Sequence, residues 1–162
     1  MNIKEKIHFT LNEAYPSLKN VKDDYFIIGS SALILSGIEI KNTHDIDILL
    51  TDRDVFYLQT EWENRMIKDY ITQEDDLFRS TFSRYRFEKM DVETIGNLEV
   101  NKNGIWKPLK IEDYTIITLD TIQIKIPTLE EQMRIFNLFG REKDLEKIKL
   151  MSTAKIKPNY ID

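Results

Sequence analysis

Apolar residues recur at helical and at strand spacing in alternating stretches of this chain. Ile3, Ile7, Leu11 and Ala14 share one side of a helix predicted over residues 2–14. Pro16 and the polar residues up to Asp24 predict a loop. Residues 25–28, Tyr-Phe-Ile-Ile, form a short apolar run of aromatic and β-branched type, as a buried strand requires. Gly29 ends it, and Ser30 or Ser31 is placed to cap a short helix over 32–35 that stops at Gly37. Residues 45–50, Asp-Ile-Asp-Ile-Leu-Leu, predict a second strand. Val55, Leu58, Trp62, Met66 and Ile67 then make a helical stripe that starts near Asp52 or Asp54 and ends between Arg65 and Tyr70.

The second half reads mainly as strands. Residues 74–80 are polar and predict a loop or helical turn, and 82–95 a strand region. The alternation in 82–95 is imperfect, which predicts two strands with a break near Arg86. Asn101-Lys102-Asn103-Gly104 is a turn. Residues 106–109 and 115–119 are short strands. Asp120-Thr121 turns the chain into 122–126, whose Ile-Gln-Ile-Lys-Ile alternation suits a half-buried strand in a hairpin on the sheet's edge. Pro127 stops that strand. Thr128 and Glu131 form a capping box for a helix burying Leu129, Met133, Phe136 and Leu138 or Phe139. Gly140 ends this helix, and a last one runs from Arg141 or Glu142 to Met151. Residues 154–162, with Pro158, predict a loose tail. With no repeat or linker, residues 1–162 predict a single domain whose core spans about 25–151.

Composition narrows the function classes. The chain has 162 residues, 41% hydrophobic and 31% charged, the balance of a folded soluble domain rather than a disordered chain. It has no long apolar run, no apolar leader core and no cysteine, which together predict no membrane span and a cytoplasmic setting. A net charge of −5 argues against broad non-specific nucleic-acid binding. Histidine occurs only at His8 and His44, too sparse for a multi-histidine zinc site.

The chemistry concentrates in residues 25–50. Asp45 and Asp47 are two apart on a strand, so their side chains leave the same face, roughly 7 Å apart along it, while Ile46, Ile48 and Leu50 take the other. Like charges at this spacing repel unless something positive lies between them. A hard divalent cation with oxygen ligands fits, and magnesium accepts carboxylates together with phosphate oxygens. The Gly29-Ser30-Ser31 turn before a helix is a candidate phosphate contact, so a nucleoside triphosphate between turn and acid pair is expected.

Gly29-Ser30, followed after 14 residues by Asp45-Ile46-Asp47, resembles the signature of nucleotidyltransferases of the DNA polymerase beta superfamily. The spacing is similar to that of the abortive-infection toxin nucleotidyltransferases, although Lys41-Asn42-Thr43 stands where those carry Arg-x-Ser/Thr. The resemblance implies an α/β (α+β) fold with a mixed, mainly antiparallel sheet flanked by helices. It implies transfer of a nucleoside monophosphate from a triphosphate to an acceptor, an RNA or tRNA end or a protein hydroxyl, with an aminoglycoside as a further alternative. It also implies two magnesium ions and a toxin–antitoxin or defence setting with a cognate antitoxin. A non-catalytic regulatory or antitoxin-like binding protein on the same fold is the alternative. The resemblance also calls for a third carboxylate from a later strand. Asp91, between apolar Met90 and Val92, is the candidate, making Asp45, Asp47 and Asp91 the catalytic metal ligands; Glu93 has the same parity and is the alternative.

Further along, Lys143-Asp144 matches the first half of the Lys-Asp-x-x-Asp helix of the toxin-type enzymes, with Lys147 in place of the second acid. Together with Gly29 and Ser30, Lys143 and Asp144 are the nucleotide-binding candidates; the alternative is a helix face laced by opposite charges. Arg134 is a further possible phosphate contact, and His44 can touch substrate or sit at the surface. Arg79, Arg84, Arg86 and Lys89 either receive an RNA backbone or balance an acidic surface.

Overall fold

The first helix outlasts its predicted end. In the computed structural model, which describes residues 1–70 and 76–156, α1 spans Ile3–Leu18 and passes through Pro16. Asn2 caps it by accepting from the Glu5 backbone N–H at 2.9 Å. Ile7, Leu11, Ala14 and Leu18 are all fully buried, continuing one stripe past the proline. Burying a leucine stabilises by about 1.5–3 kcal/mol, comparable with the cost of about 3 kcal/mol for an interior proline. Leu18 thus keeps the last turn helical.

In the unit that follows, β1 is Phe26–Ile28 and β2 is Asp45–Leu50, close to their predicted bounds, while α2 is Gly29–Leu35 and takes in the Gly29-Ser30-Ser31 stretch predicted as a turn. The helix α3, Asp52–Glu61, ends earlier than its stripe suggested. Trp62 turns inward and meets the rings of Tyr85 and Phe87 edge-on, each at 5.1 Å. A 3-10 turn, Glu63–Arg65, then brings Met66 to bridge Tyr85. The apolar stripe is satisfied, but beyond Glu61 it is satisfied by a strand rather than by more helix. Asp54, buried in the first turn of α3, accepts from the Lys22 and Asp23 backbone N–H groups and anchors the loop before β1.

The break near Arg86 separates β3, Phe78–Arg86, from β4, Asp91–Lys102. The start of β3 replaces part of the polar loop expected at 74–80; residues 74 and 75 lie outside the described part. A turn at Asn103 and Gly104 leads to β5, Ile105–Pro108. The main sheet has the order β1-β2-β4-β3, with β5 also on β4. The β2–β4 pair is parallel and the other pairs are antiparallel, so the sheet is mixed and mainly antiparallel.

Strands β6, Tyr114–Leu119, and β7, Ile122–Pro127, form the expected hairpin but not on the sheet's edge. They make a separate two-stranded sheet packed beside β1. Ile122, Ile124 and Ile126 are buried in the main core. An alternating strand pattern is met equally by an edge strand and by a ribbon laid against the core, so the sequence did not separate them.

Thr128 caps α4, Leu129–Phe139, by accepting from the Glu131 N–H at 3.2 Å. The other half of the expected capping box is absent. Glu131 is buried and accepts instead from the Glu112 and Asp113 N–H groups. Gln132, Ile135 and Phe136 are buried beside it. Gly140 takes the left-handed conformation, φ 67°, that ends the helix. The last helix, α5, is Glu142–Ile156 and runs past Met151 into the region read as a loose tail. Residues 157–162 of that tail lie outside the described part.

Candidate active site

Parallel pairing of β2 with β4 sets the site. Its register places Asp45 opposite Asp91 and Asp47 opposite Glu93. Ile46 and Ile48 on β2, and Val92 and Thr94 on β4, are fully buried on the opposite side. Four acidic side chains therefore share one face of two adjacent strands. Carboxylate oxygens of Asp45, Asp47 and Glu93 lie within 4.8 Å of one another, close enough to hold one metal ion. Asp91 is outside that group, at the strand's start, and its carboxylate is engaged by Arg84 at 3.0 Å.

The electrostatics of the group are unfavourable without a cation. Asp47 Oδ1 is shut off from solvent and has no hydrogen-bond partner among the described residues. Burial, then the charges of Glu93 and Asp45, push the Asp47 carboxyl well above the ordinary carboxylate range. Burial also raises Glu93, while Arg84 pulls it back. A buried carboxylate oxygen lacking any donor is expensive; an ion bound by oxygen ligands would satisfy it, so the donor set fits a hard divalent metal.

A cavity of about 1040 Å³ opens over these acids. Gly29 and Ser30 line it at the start of α2, and Arg141, Lys143 and Lys147 at α5. Its lining also includes Phe78, Leu98, Trp106 and Phe139, with the Arg79 guanidinium over the Trp106 ring and that of Arg141 over Phe78 and Phe139. Gly29 has φ +71°, and a Cβ there would stand 3.0 Å from Asp47 Oδ2. Neither serine caps α2. Ser31 turns inward and, with Thr43, donates to the Asp45 carbonyl at 3.2 and 3.3 Å, which fixes the start of β2.

Within these limits the predicted site residues divide. Gly29, Ser30, Asp45, Asp47 and Lys143 reach the cavity. Asp144 does not: it is fully buried and accepts from the Arg141 N–H and guanidinium, holding the start of α5. Arg134 is bound to Glu131 and the Lys110 carbonyl, away from the cavity lining. His44 is exposed, and its carbonyl accepts from the Asp91 N–H. Of the basic cluster, Arg79 pairs with Glu99 and Lys89 lies near Glu88, while Arg84 turns into the acids.

Residues 6–97, more than half of the chain and containing Gly29, Ser30, both β2 acids and Glu93, match the family model described as "Nucleotidyltransferase of unknown function (DUF6036)". The chain belongs to this nucleotidyltransferase family. No curated protein matches it. Its fold is that of solved nucleotidyltransferases. A Thermotoga maritima protein provisionally described as one has 21% identity, with 92% of this chain and 93% of that chain covered and a TM-score of 0.75. The lincosamide antibiotic adenylyltransferase LnuA, solved with lincomycin bound, has 15% identity, coverage of 94% and 98%, and a TM-score of 0.59. The antibiotic-resistance factor ANT(2'')-Ia has 12% identity, coverage of 95% and 85%, and a TM-score of 0.54.

Two cations of this nucleotidyltransferase take places that the sequence analysis does not give them. Lys147, which in the motif comparison only stands in place of an acid, lines the cavity one helical turn from Lys143. Burial lowers its ammonium below the ordinary range, with Asp144 and Asp47 opposing. The i, i+4 spacing of Lys143 and Lys147 was a usable signal. Arg84 gave no such signal, because its place depends on the β3–β4 register, which pairs it with Glu93.

The close approach at Gly29 gives a first expectation. Gly29→Ala would force a non-glycine residue into the left-handed region and crowd Asp47. It should cost about 1–3 kcal/mol, read as a lower urea midpoint in equilibrium unfolding. Unchanged stability would mean that the turn relaxes freely.

Proposed function

We propose that this protein is a magnesium-dependent nucleotidyltransferase. It would move a nucleoside monophosphate from a nucleoside triphosphate to an acceptor hydroxyl and release pyrophosphate. The observation that carries the reading is the convergence of Asp45, Asp47 and Glu93 beneath the cavity, with a buried Asp47 oxygen that has no donor among the described residues.

Asp45, Asp47 and Glu93 would hold the metal, so Glu93 takes the third-carboxylate role first given to Asp91. Metal ions bound there would supply charge neutralisation at the attacking and leaving oxygens of an in-line displacement. The remaining tasks fall to the chain itself. Lys143 and Lys147, with Ser30, face the cavity and would meet the phosphate oxygens. Glu93 would take the acceptor's hydroxyl proton as the new P–O bond forms. The α–β phosphoanhydride bond breaks in the same step.

The acceptor we favour is a small hydroxyl compound. The cavity lining includes the large side chains of Phe78, Leu98, Trp106 and Phe139 as well as the acids, and its volume is large enough for two compact ligands. The neighbour LnuA is an adenylyltransferase solved with lincomycin. An RNA or protein acceptor in a toxin–antitoxin pair is the reading that the Gly-Ser and Asp-x-Asp spacing first suggested.

Incubation with each α-labelled triphosphate, in magnesium or chelator, tests this. The acceptors would be total RNA, cell protein, an aminoglycoside or a lincosamide. Label passing to an acceptor only in magnesium supports the reading. The absence of both transfer and magnesium-dependent triphosphate binding would reject it.

A further inference from the structure

One cation already sits among the acids. Arg84 on β3 stands opposite Glu93 in the antiparallel register, and its side chain is 13% exposed. Its guanidinium reaches acids on β4 and, beyond it, on β2, and divides them between different atoms. Nη1 donates to Asp45 Oδ2 at 3.2 Å and to Glu93 Oε1. Nε and Nη2 approach Asp91 Oδ2 at 3.1 and 3.0 Å. The Tyr70 ring covers the guanidinium at 4.8 Å.

This division has a chemical meaning. The two acids held by Nη1 belong to the group that can share a metal ion, and the acid held by Nε and Nη2 does not. A guanidinium cannot shed its charge by deprotonation at ordinary pH, so it competes with an entering cation for the same oxygens. A divalent ion carries twice its charge and would compete successfully for Asp45 and Glu93. Asp91 would still anchor the arginine from the side.

We propose that Arg84 is a resident counter-cation of the acid site. It holds Asp45 and Glu93 while no metal is bound and is drawn back onto Asp91 when a divalent ion enters, so that it sets the metal affinity of the site. The proposal rests on Asp45, Asp47 and Glu93 being metal ligands. It gives Asp91 a task that its position outside the metal group leaves open. Arg84 is on this account a positioning residue, acting through the carboxylates.

Manganese titration of the full chain by calorimetry tests it. Arg84→Gln should bind manganese about tenfold or more tightly than the wild type, the size expected when an opposing charge leaves a partly buried group of acids. Asp91→Asn should bind it about threefold or more weakly, because the freed arginine stays on Asp45 and Glu93, and should change nothing in the Arg84→Gln background. Metal-free Arg84→Gln should melt below the wild type at neutral pH, with the gap closing in saturating manganese. If Arg84→Gln folds poorly, Arg84→Lys, which keeps the charge but cannot span both sets of acids, should bind more tightly than the wild type. Equal or weaker manganese binding by Arg84→Gln, or by Arg84→Lys in its place, overturns the proposal while leaving the metal site standing. Absence of binding to both wild type and variant overturns the metal site and the proposal together.

Discussion

Glu93→Gln is expected to lower nucleotidyl transfer at least about a hundredfold, the range for losing a metal ligand that also receives a proton. Glu93 sits opposite Asp47 and shares the 4.8 Å group with Asp45 and Asp47. Glutamine keeps the shape and one acceptor oxygen, so the strand pairing and the Arg84 contact can persist. The loss should therefore fall on turnover rather than on folding, with circular dichroism and the urea midpoint close to wild type. Asp91→Asn is the internal comparison. Asp91 lies outside the metal group and binds Arg84, so its loss should cost about tenfold or less and should recover in raised magnesium. If Asp91→Asn is the crippled variant and Glu93→Gln is active, the β2–β4 register has been assigned the wrong chemistry.

The second large effect is on stability. Asp47→Asn should stabilise the metal-free protein at neutral pH by about 1–2 kcal/mol, typical of replacing a strained functional residue. At this chain length that is about 2–4 °C in Tm per kcal/mol. The direction follows from linkage. Burial and the neighbouring acids raise the folded pKa of Asp47 above its ordinary value of 3.8. Below that value both folded and unfolded chains are protonated there, and Asp47 costs nothing. As pH rises from 3.8 towards the folded pKa, the unfolded chain releases its proton while the folded chain keeps it, so stability falls. Above the folded pKa the loss is complete and constant. Thermal melts in chelator should therefore show the Asp47→Asn advantage at pH 7 and its disappearance near pH 4. Added magnesium should stabilise the wild type and do little for the variant. A variant no more stable than wild type at pH 7 would mean that Asp47 is not held in an unfavourable environment.

The part of the site that lies within one local unit was legible in the sequence. Gly29 and Ser30 open α2, three residues before its predicted start, and Asp45 and Asp47 lie on β2, whose bounds, like those of β1, the residue pattern gives almost to the residue. What the pattern could not give was register. Asp91 and Glu93 have the same parity on β4, and both face the cavity side; only the parallel alignment with β2 decides which one meets Asp47. Arg84 was for the same reason indistinguishable from Arg79 and Lys89. The misread elements have a similar origin. The stripe over Leu58, Trp62 and Met66 correctly marked buried residues, but the partner of its last part is β3 rather than a continued helix face. Pro16 was overridden by the burial of Leu18. Asp144 was matched to a family motif on residue type alone, whereas Arg141 claims it locally.

The most direct test of the central claim is a crystal of the protein soaked with manganese and a non-hydrolysable triphosphate, with data collected at the manganese edge. The account predicts an anomalous peak coordinated by Asp45, Asp47 and Glu93, with the triphosphate running from it towards Lys143 and Lys147. A triphosphate bound with no manganese at these carboxylates, or manganese held by Asp91 in place of Glu93, would contradict it.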